Sequence, residues 1–297
     1  MPPIFYGDSM YNFRKNAKVY IYTDNILYPI DIYPDLSFSQ TFNENSNARK
    51  TLHNPLDLNH GATISEANVG NFSYTVPIKF SNDINPLMSL FEADYATGTV
   101  GSVSMYVSFT DVIFKLDKAV IETLTYNIDR ASIFTVSVSG SFSRLEPVDA
   151  LPAVPAPVNT DSYTIVRGIE VLLNGTALPS IAAINIEVAN SIEWTKNSTL
   201  HKSLANELAY KDSYVLQERR VTGSVTEFLL DTSEVDYSTT SLVIKLYSEP
   251  GQNPPFMTFN LPEVVYTSRV NIDELLTRVY DFRLTSNNVL ILPQLRS

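Results

Sequence analysis

Hydrophobic and polar positions alternate with a period of two along most of this chain, which predicts strands with one buried and one solvated face. The run Val136-Ser137-Val138-Ser139-Gly140-Ser141-Phe142-Ser143 is the plainest case, with apolar residues on one side and small hydroxyl residues on the other. Phe72-Ser73-Tyr74-Thr75-Val76 and Ser224-Val225-Thr226 repeat the theme. The ordinary reading is a solvated sheet face. A sharper one is a smooth wall along which something polar slides.

Turn residues separate the strands. Lys18-Val19-Tyr20-Ile21-Tyr22 and Leu27-Tyr28-Pro29-Ile30 bracket Thr23-Asp24-Asn25, whose side chains suit a tight turn. Glu170-Val171-Leu172-Leu173 and Ala177-Leu178-Pro179 bracket Asn174-Gly175, a strong hairpin signal. Alternating strands follow at Leu36-Ser37-Phe38-Ser39 and Ile184-Asn185-Ile186-Glu187-Val188. The segment from Asn43 through Arg49 and Lys50 to Asn59, His60 and Gly61 is long and polar, and predicts an extended surface loop or arm serving binding or assembly.

A helix is predicted from Asn85 as cap and Pro86 as first residue, with Leu87, Leu90 and Phe91 at helical spacing and Gly98 at its end. The second half offers only Thr232 to Thr240 there, enough for a turn or two. Further strands are predicted at 102–109, 112–116, 121–128 and 133–142, and again at 241–247, 256–261, 264–272 and 276–284.

These segments come in the same order twice. Thr51-Leu52-His53 recurs as Thr199-Leu200-His201, Asn127-Ile128-Asp129 recurs as Asn271-Ile272-Asp273, and Gly70-Asn71 and Gly223-Ser224 open strand-like runs between them. Single tripeptides recur by chance, so it is their kept order and spacing that argues for duplication. The expected organisation is a first β domain over 1–146, a proline-rich linker over 147–160, and a second β domain over 161–297.

Composition narrows the function classes. The 297 residues suit two domains, and 17 Tyr and 15 Phe against one Trp favour pleated, half-buried surfaces. A net charge of −11 argues against attraction of nucleic acid by bulk charge, though an acidic surface can serve DNA by repelling it. With Cys 0, disulfides and cysteine zinc sites are excluded. The start lacks a signal-peptide pattern and no apolar run approaches the ~20 residues of a membrane helix, so a soluble protein made in a cytoplasm is expected.

Catalytic signatures are missing. His53, His60 and His201 are the only histidines, and no cluster of carboxylates surrounds them in sequence. No phosphate cradle, nucleophile elbow or His-Glu-x-x-His helix occurs. The expectation is no enzymatic activity, no cofactor and no metal. Trp194, between Glu193 and Lys196, suits carbohydrate stacking or, more commonly, a core or interface.

The opening hairpins, the long segment after Phe42, the Gly70-Asn71 and Gly223-Ser224 strand starts, the helix from Pro86 and the closing strand pairs span about Lys18 to Leu284. In this order they resemble the tail tube protein of long, flexible-tailed bacteriophages, in the form with a duplicated tube domain. The resemblance implies a mostly β protein of two tandem β-sandwich or barrel domains, each with a flanking helix reduced in the second. It also implies trimeric, pseudo-hexameric rings that stack into a hollow tail tube for DNA, built with other tail proteins in the host cytoplasm and carried in the virion. Strand alternation offers Glu187, Glu193 and Glu227 as lumen-facing acids, and Asn43, Arg49, Lys50 and Asn59 as inter-ring loop residues. The competing reading is a virion binding module, a distal tail component or carbohydrate-binding adhesin on tandem β-sandwiches, with Trp194 in an exposed pocket.

Overall fold

The turn residues set the first elements. Asp24 and Asn25 both take positive φ, 52° and 63°, and join β1 (Lys18–Thr23) to β2 (Ile26–Ile30). Asn174 and Gly175, at 51° and 76°, join β13 (Gly168–Leu173) to β14 (Thr176–Ala177) in the same way. Two consecutive left-handed residues make the tight turn whose twist matches antiparallel strands, and only Asn, Asp and Gly adopt it cheaply. The computed structural model describes residues 16–51, 54–79, 93–94, 99–129, 132–158, 160–195, 210–229, 239–249, 251, 255–272, 275–285 and 294–295.

Between these hairpins lie β3 (Ser37–Ser39), β4 (Phe42–Thr51), β5 (Asn54–Ala67), β6 (Gly70–Pro77), β7 (Ala93–Asp94), β8 (Thr99–Val100), β9 (Val103–Ser108), β10 (Ile113–Asp129), β11 (Thr135–Phe142) and β12 (Arg144–Val148). After them come β15 (Ile181–Thr195), β16 (Ser213–Phe228), β17 (Thr239–Tyr247), β18 (Met257–Ile272), β19 (Leu276–Leu284) and β20 (Gln294–Leu295). The described chain is therefore nearly all strand, in a β-sandwich-like arrangement. The helix expected from Pro86 and the turn expected at 232–240 lie largely outside the described residues. Where they are described, Ala93–Asp94 pair with Thr99–Val100, and 239–240 begin β17.

Strands expected separately at 112–116 and 121–128 are one strand, β10, which changes sheets midway. Its first part lies between β9 and β12, and its second between β11 and β15. Register shifts between Leu116 and Ala119, with Lys118 at φ 50°, and again between Ile121 and Thr123. Such irregularities bend a strand, and a bent strand can serve both layers of a sandwich. β18 repeats the arrangement, running from β17 and β20 into β19.

One layer runs β3-β6-β11-β10-β15-β16-β19-β18, with all neighbours antiparallel. Four strands come from each half, in the same order: first hairpin strand, its return, the last strand, then the one before it. The halves meet where β10 pairs with β15, Leu124 opposite Val188 and Tyr126 opposite Ile186. These four side chains are at most 2% exposed. Tyr126 packs edge-on against Phe259 at 5.2 Å and stacks on Phe134 at 6.2 Å, so both halves feed one hydrophobic core.

The expected proline-rich linker is tied to the first half. β12 pairs with β10, the Ala156 N–H donates to the Leu27 carbonyl at 2.8 Å, and Leu151 and Ala153 pack against Tyr20, Leu27 and Tyr106. The chain then runs between the end of β6 and the start of β11, where the Phe134 N–H donates to the Thr164 carbonyl and the Thr164 N–H to the Ile78 carbonyl.

Candidate functional site

Three surfaces stand out: the sheet face turned away from the core, the arms that extend from it, and its two ends. On the open face, paired strands set small polar residues opposite one another. Ser73 faces Ser139, and the hydroxyls of Thr75 and Ser137 lie 3.4 Å apart. Asn127 faces Asn185, whose amide donates to it at 2.6 Å across the joint between halves. Ser224 faces Asp281, which is ion-paired with Arg269 at 2.9 Å. The alternation read in the sequence does build a continuous polar face.

Glycine lets this sheet close tightly at two matching places. Gly70 on β6 lies opposite Phe142 on β11, and Gly223 on β16 lies opposite Phe282 on β19. A Cβ at either glycine would overlap the facing ring, and at Gly223 also the carbonyl of Asn185. In each case a phenyl ring covers a glycine, a cross-strand device that fixes register. Aligned on these pairs, Leu124 corresponds to Val270 and Tyr126 to Ile272, so Asn127-Ile128-Asp129 and Asn271-Ile272-Asp273 sit two residues out of structural register.

The acidic candidates divide. Glu187 lies on the open face of β15, between Thr125 and Thr222. Glu193 lies on the same side of that strand but beyond the register shift at Ser191, in the arm, where Gln217 donates to it at 2.6 Å. Glu227 falls on the core side with Val221 and Val225 and is 7% exposed. The Tyr280 hydroxyl donates to Glu227 at 2.7 Å, and the Arg278 guanidinium lies 3.8 Å away. Odd-numbered positions of β16 point inward here, which removes Glu227 from the exposed face.

Glu122 went unnoticed in the sequence because it occupies the irregularity in β10, where alternation breaks. It sits half-buried in a polar groove of about 300 Å³ with Ser39, Asn71 and Ser139. Burial pushes its carboxyl pKa up, against the hydrogen bond that the Ser141 hydroxyl donates to it.

The long polar segment is a paired hairpin rather than a loop. Among the described residues β4 and β5 pair only with each other, placing Asn43 opposite Glu66, Arg49 opposite Leu58 and Asn59 opposite Ala48, with Lys50 at a register shift. Asn43 is exposed and accepts a bond from Asn68 at 3.1 Å. In the second half, the outer parts of β15 and β16 form the corresponding arm, and it docks on the first half. The Trp194 indole N–H donates to the Ser141 hydroxyl at 2.8 Å, and the Trp194 and Tyr214 ring centroids lie 5.0 Å apart. Tyr214 donates to the Val100 carbonyl at 2.6 Å, and Trp194 packs against the cluster of Val100, Val120 and Leu216. Trp194 is therefore a clasp between halves, not a ring offered to a sugar.

At the ends, β18 beyond Tyr266 pairs with β19 alone, and β3 with β6 alone, among the described residues. Val270, Ile272 and, beside β3, Phe42 are large exposed hydrophobics. No group of three or more metal-ligating side chains occurs among the described residues, nor a helix long and apolar enough to cross a membrane.

Comparison with known proteins gives one family. A model described as the Bacteriophage Baseplate Tube Protein Family matches residues 9–292. No curated protein matches the chain.

Proposed function

The chain belongs to the bacteriophage baseplate tube protein family, a structural, tail-related virion component, and from that premise we propose that its copies associate into rings whose wall is the eight-stranded sheet and whose bore passes viral DNA. The observation that carries this reading is the open polar face, continuous across the joint between halves and opposite a shared core. Small hydroxyl and amide side chains make up most of this wall, Arg220 and Arg269 on it are ion-paired with Glu218 and Asp281, and Glu187 and Glu122 set negative charge along it against Arg283.

In this reading each half is one copy of a duplicated tube domain, and three chains fill six similar positions around the ring. Rings stack through the arms, with Asn43, Arg49, Lys50 and Asn59 at or near the contacts. The work is structural and needs no catalysis or cofactor. Assembly takes place in the host cytoplasm, against other tail proteins. The family description favours the baseplate end of the tube over the shaft of a long flexible tail, and gold labelling of this chain in virions separates the two.

Electron microscopy and native mass measurement of the purified protein test the proposal. Rings or tubes with three chains per ring are expected. A chain that stays monomeric under all assembly conditions overturns it.

A further inference from the structure

We propose that Glu122 is a proton-operated latch for the arm of β15 and β16: through the Ser141 hydroxyl it positions Trp194, and the arm holds fast while the Glu122 carboxyl is neutral and opens more often once it ionises. The latch lies within one chain and stands apart from the ring reading.

Three side chains form a relay. The Trp194 indole N–H donates to the Ser141 hydroxyl oxygen at 2.8 Å, and the Ser141 hydroxyl donates in turn to the Glu122 carboxyl. A serine hydroxyl has one proton, so giving it to Glu122 leaves the oxygen's lone pairs for the indole. Trp194 packs against the cluster that holds Val120, the cross-strand partner of Ser141, and Ser141 is 2% exposed beneath it. Glu122 stands in the register shift just after Val120, with the arm contact on one side of its carboxyl and the polar groove of Ser39, Asn71 and Ser139 on the other. Docking the arm therefore takes water from one side of an ionisable group, which penalises the charged form.

Among the described residues no cation pairs with Glu122 to offset that penalty. The groove side chains of β3, β6 and β11 are neutral. On its own strand, Lys115 pairs with Asp117 at 2.8 Å, and Lys118 donates to the Asp212 main-chain carbonyl at 2.8 Å. In the docked segment, the Asp212 carboxylate accepts from Ser143 at 3.3 Å, and Tyr210 lies under Arg144 at 4.8 Å. In the arm itself, Glu193 accepts from Gln217 at 2.6 Å and Glu218 pairs with Arg220 at 2.8 Å. Burial is accordingly the larger influence on Glu122 and raises its pKa against the Ser141 bond. By linkage, its contribution to docking is complete below the ordinary glutamate value and is lost as pH rises through the docked one.

Trp194 is the single tryptophan, so its indole N–H gives one NMR signal. In the dilute wild-type chain that signal should titrate with Glu122. Protection of 190–195 and 213–219 against hydrogen exchange, taken relative to intrinsic rates, should fall about threefold or more between about pH 5 and about pH 8. Glu122→Gln keeps an acceptor for Ser141 and cannot ionise, so it should hold the arm at both pH values and abolish the titration. Ser141→Ala should loosen the arm at both and remove the pH dependence, whereas Asp212→Asn should leave that dependence in place. Equal protection of the wild-type arm at both pH values would overturn the latch. So would a pH dependence that survives Glu122→Gln or Ser141→Ala, or one that Asp212→Asn removes.

Discussion

Gly70 and Gly223 show how much a single position can demand. A methyl at either would overlap a phenylalanine that is itself buried and cannot swing away, Phe142 at 0% and Phe282 at 4% exposure. Overpacking of this sort costs about 1–3 kcal/mol. Gly223→Ala is expected at the upper end, because a backbone carbonyl as well as a ring blocks it, and Gly168→Ala should be nearly neutral, since its nearest neighbour is an ordinary 3.4 Å contact. Urea denaturation of the three variants checks the order. Glu122 makes a prediction of the opposite sign. Its folded pKa is raised by burial, so the stabilisation of its protonated form is present below the unfolded pKa and is lost as pH rises through the folded one. Glu122→Gln, which keeps a partner for Ser141, should raise the melting temperature at pH 7 and leave it unchanged near pH 3. Equal gains at both pH values would show that burial of the charge is not the cause.

At the scale of elements, the hairpins of Asp24-Asn25 and Asn174-Gly175 were legible because a turn with positive φ is decided by the residues in it. The length of β10 was not. Whether a strand stops at Leu116 or bends and continues depends on which strands flank it, β12 on one part and β15 on the other. The arm of β15 and β16 was half legible: its strands alternate, but its docking on Ser141 and Val100 is a long-range contact. A fully buried Trp→Ala change costs about 3–5 kcal/mol, and half-burial puts Trp194→Ala at about 2 kcal/mol. Hydrogen exchange should then speed up in 190–195 and 213–219 while 135–142 keeps its protection. An unchanged arm would show that Trp194 does not hold it.

For the whole molecule, the shared core matters more than the boundary between halves. Tyr126 and Phe259 belong to different halves and pack against each other, and the connector is bonded to the first half at Leu27 and Ile78. The dilute monomeric chain should therefore unfold in one calorimetric transition with equal van't Hoff and calorimetric enthalpies. Two separate transitions would mean that the halves are independent units. Alternation, turn chemistry and repeated order, read along the chain alone, were enough for a mostly β protein with a polar face, because each depends on neighbours within a few residues. Which acids reach that face, where β10 changes sheets, and which edges stay open were decided only in three dimensions. Glu187 and Glu227 look alike in sequence, yet one meets solvent and the other Tyr280 and Arg278, since the side a residue faces is set by the register of strands far away in the chain.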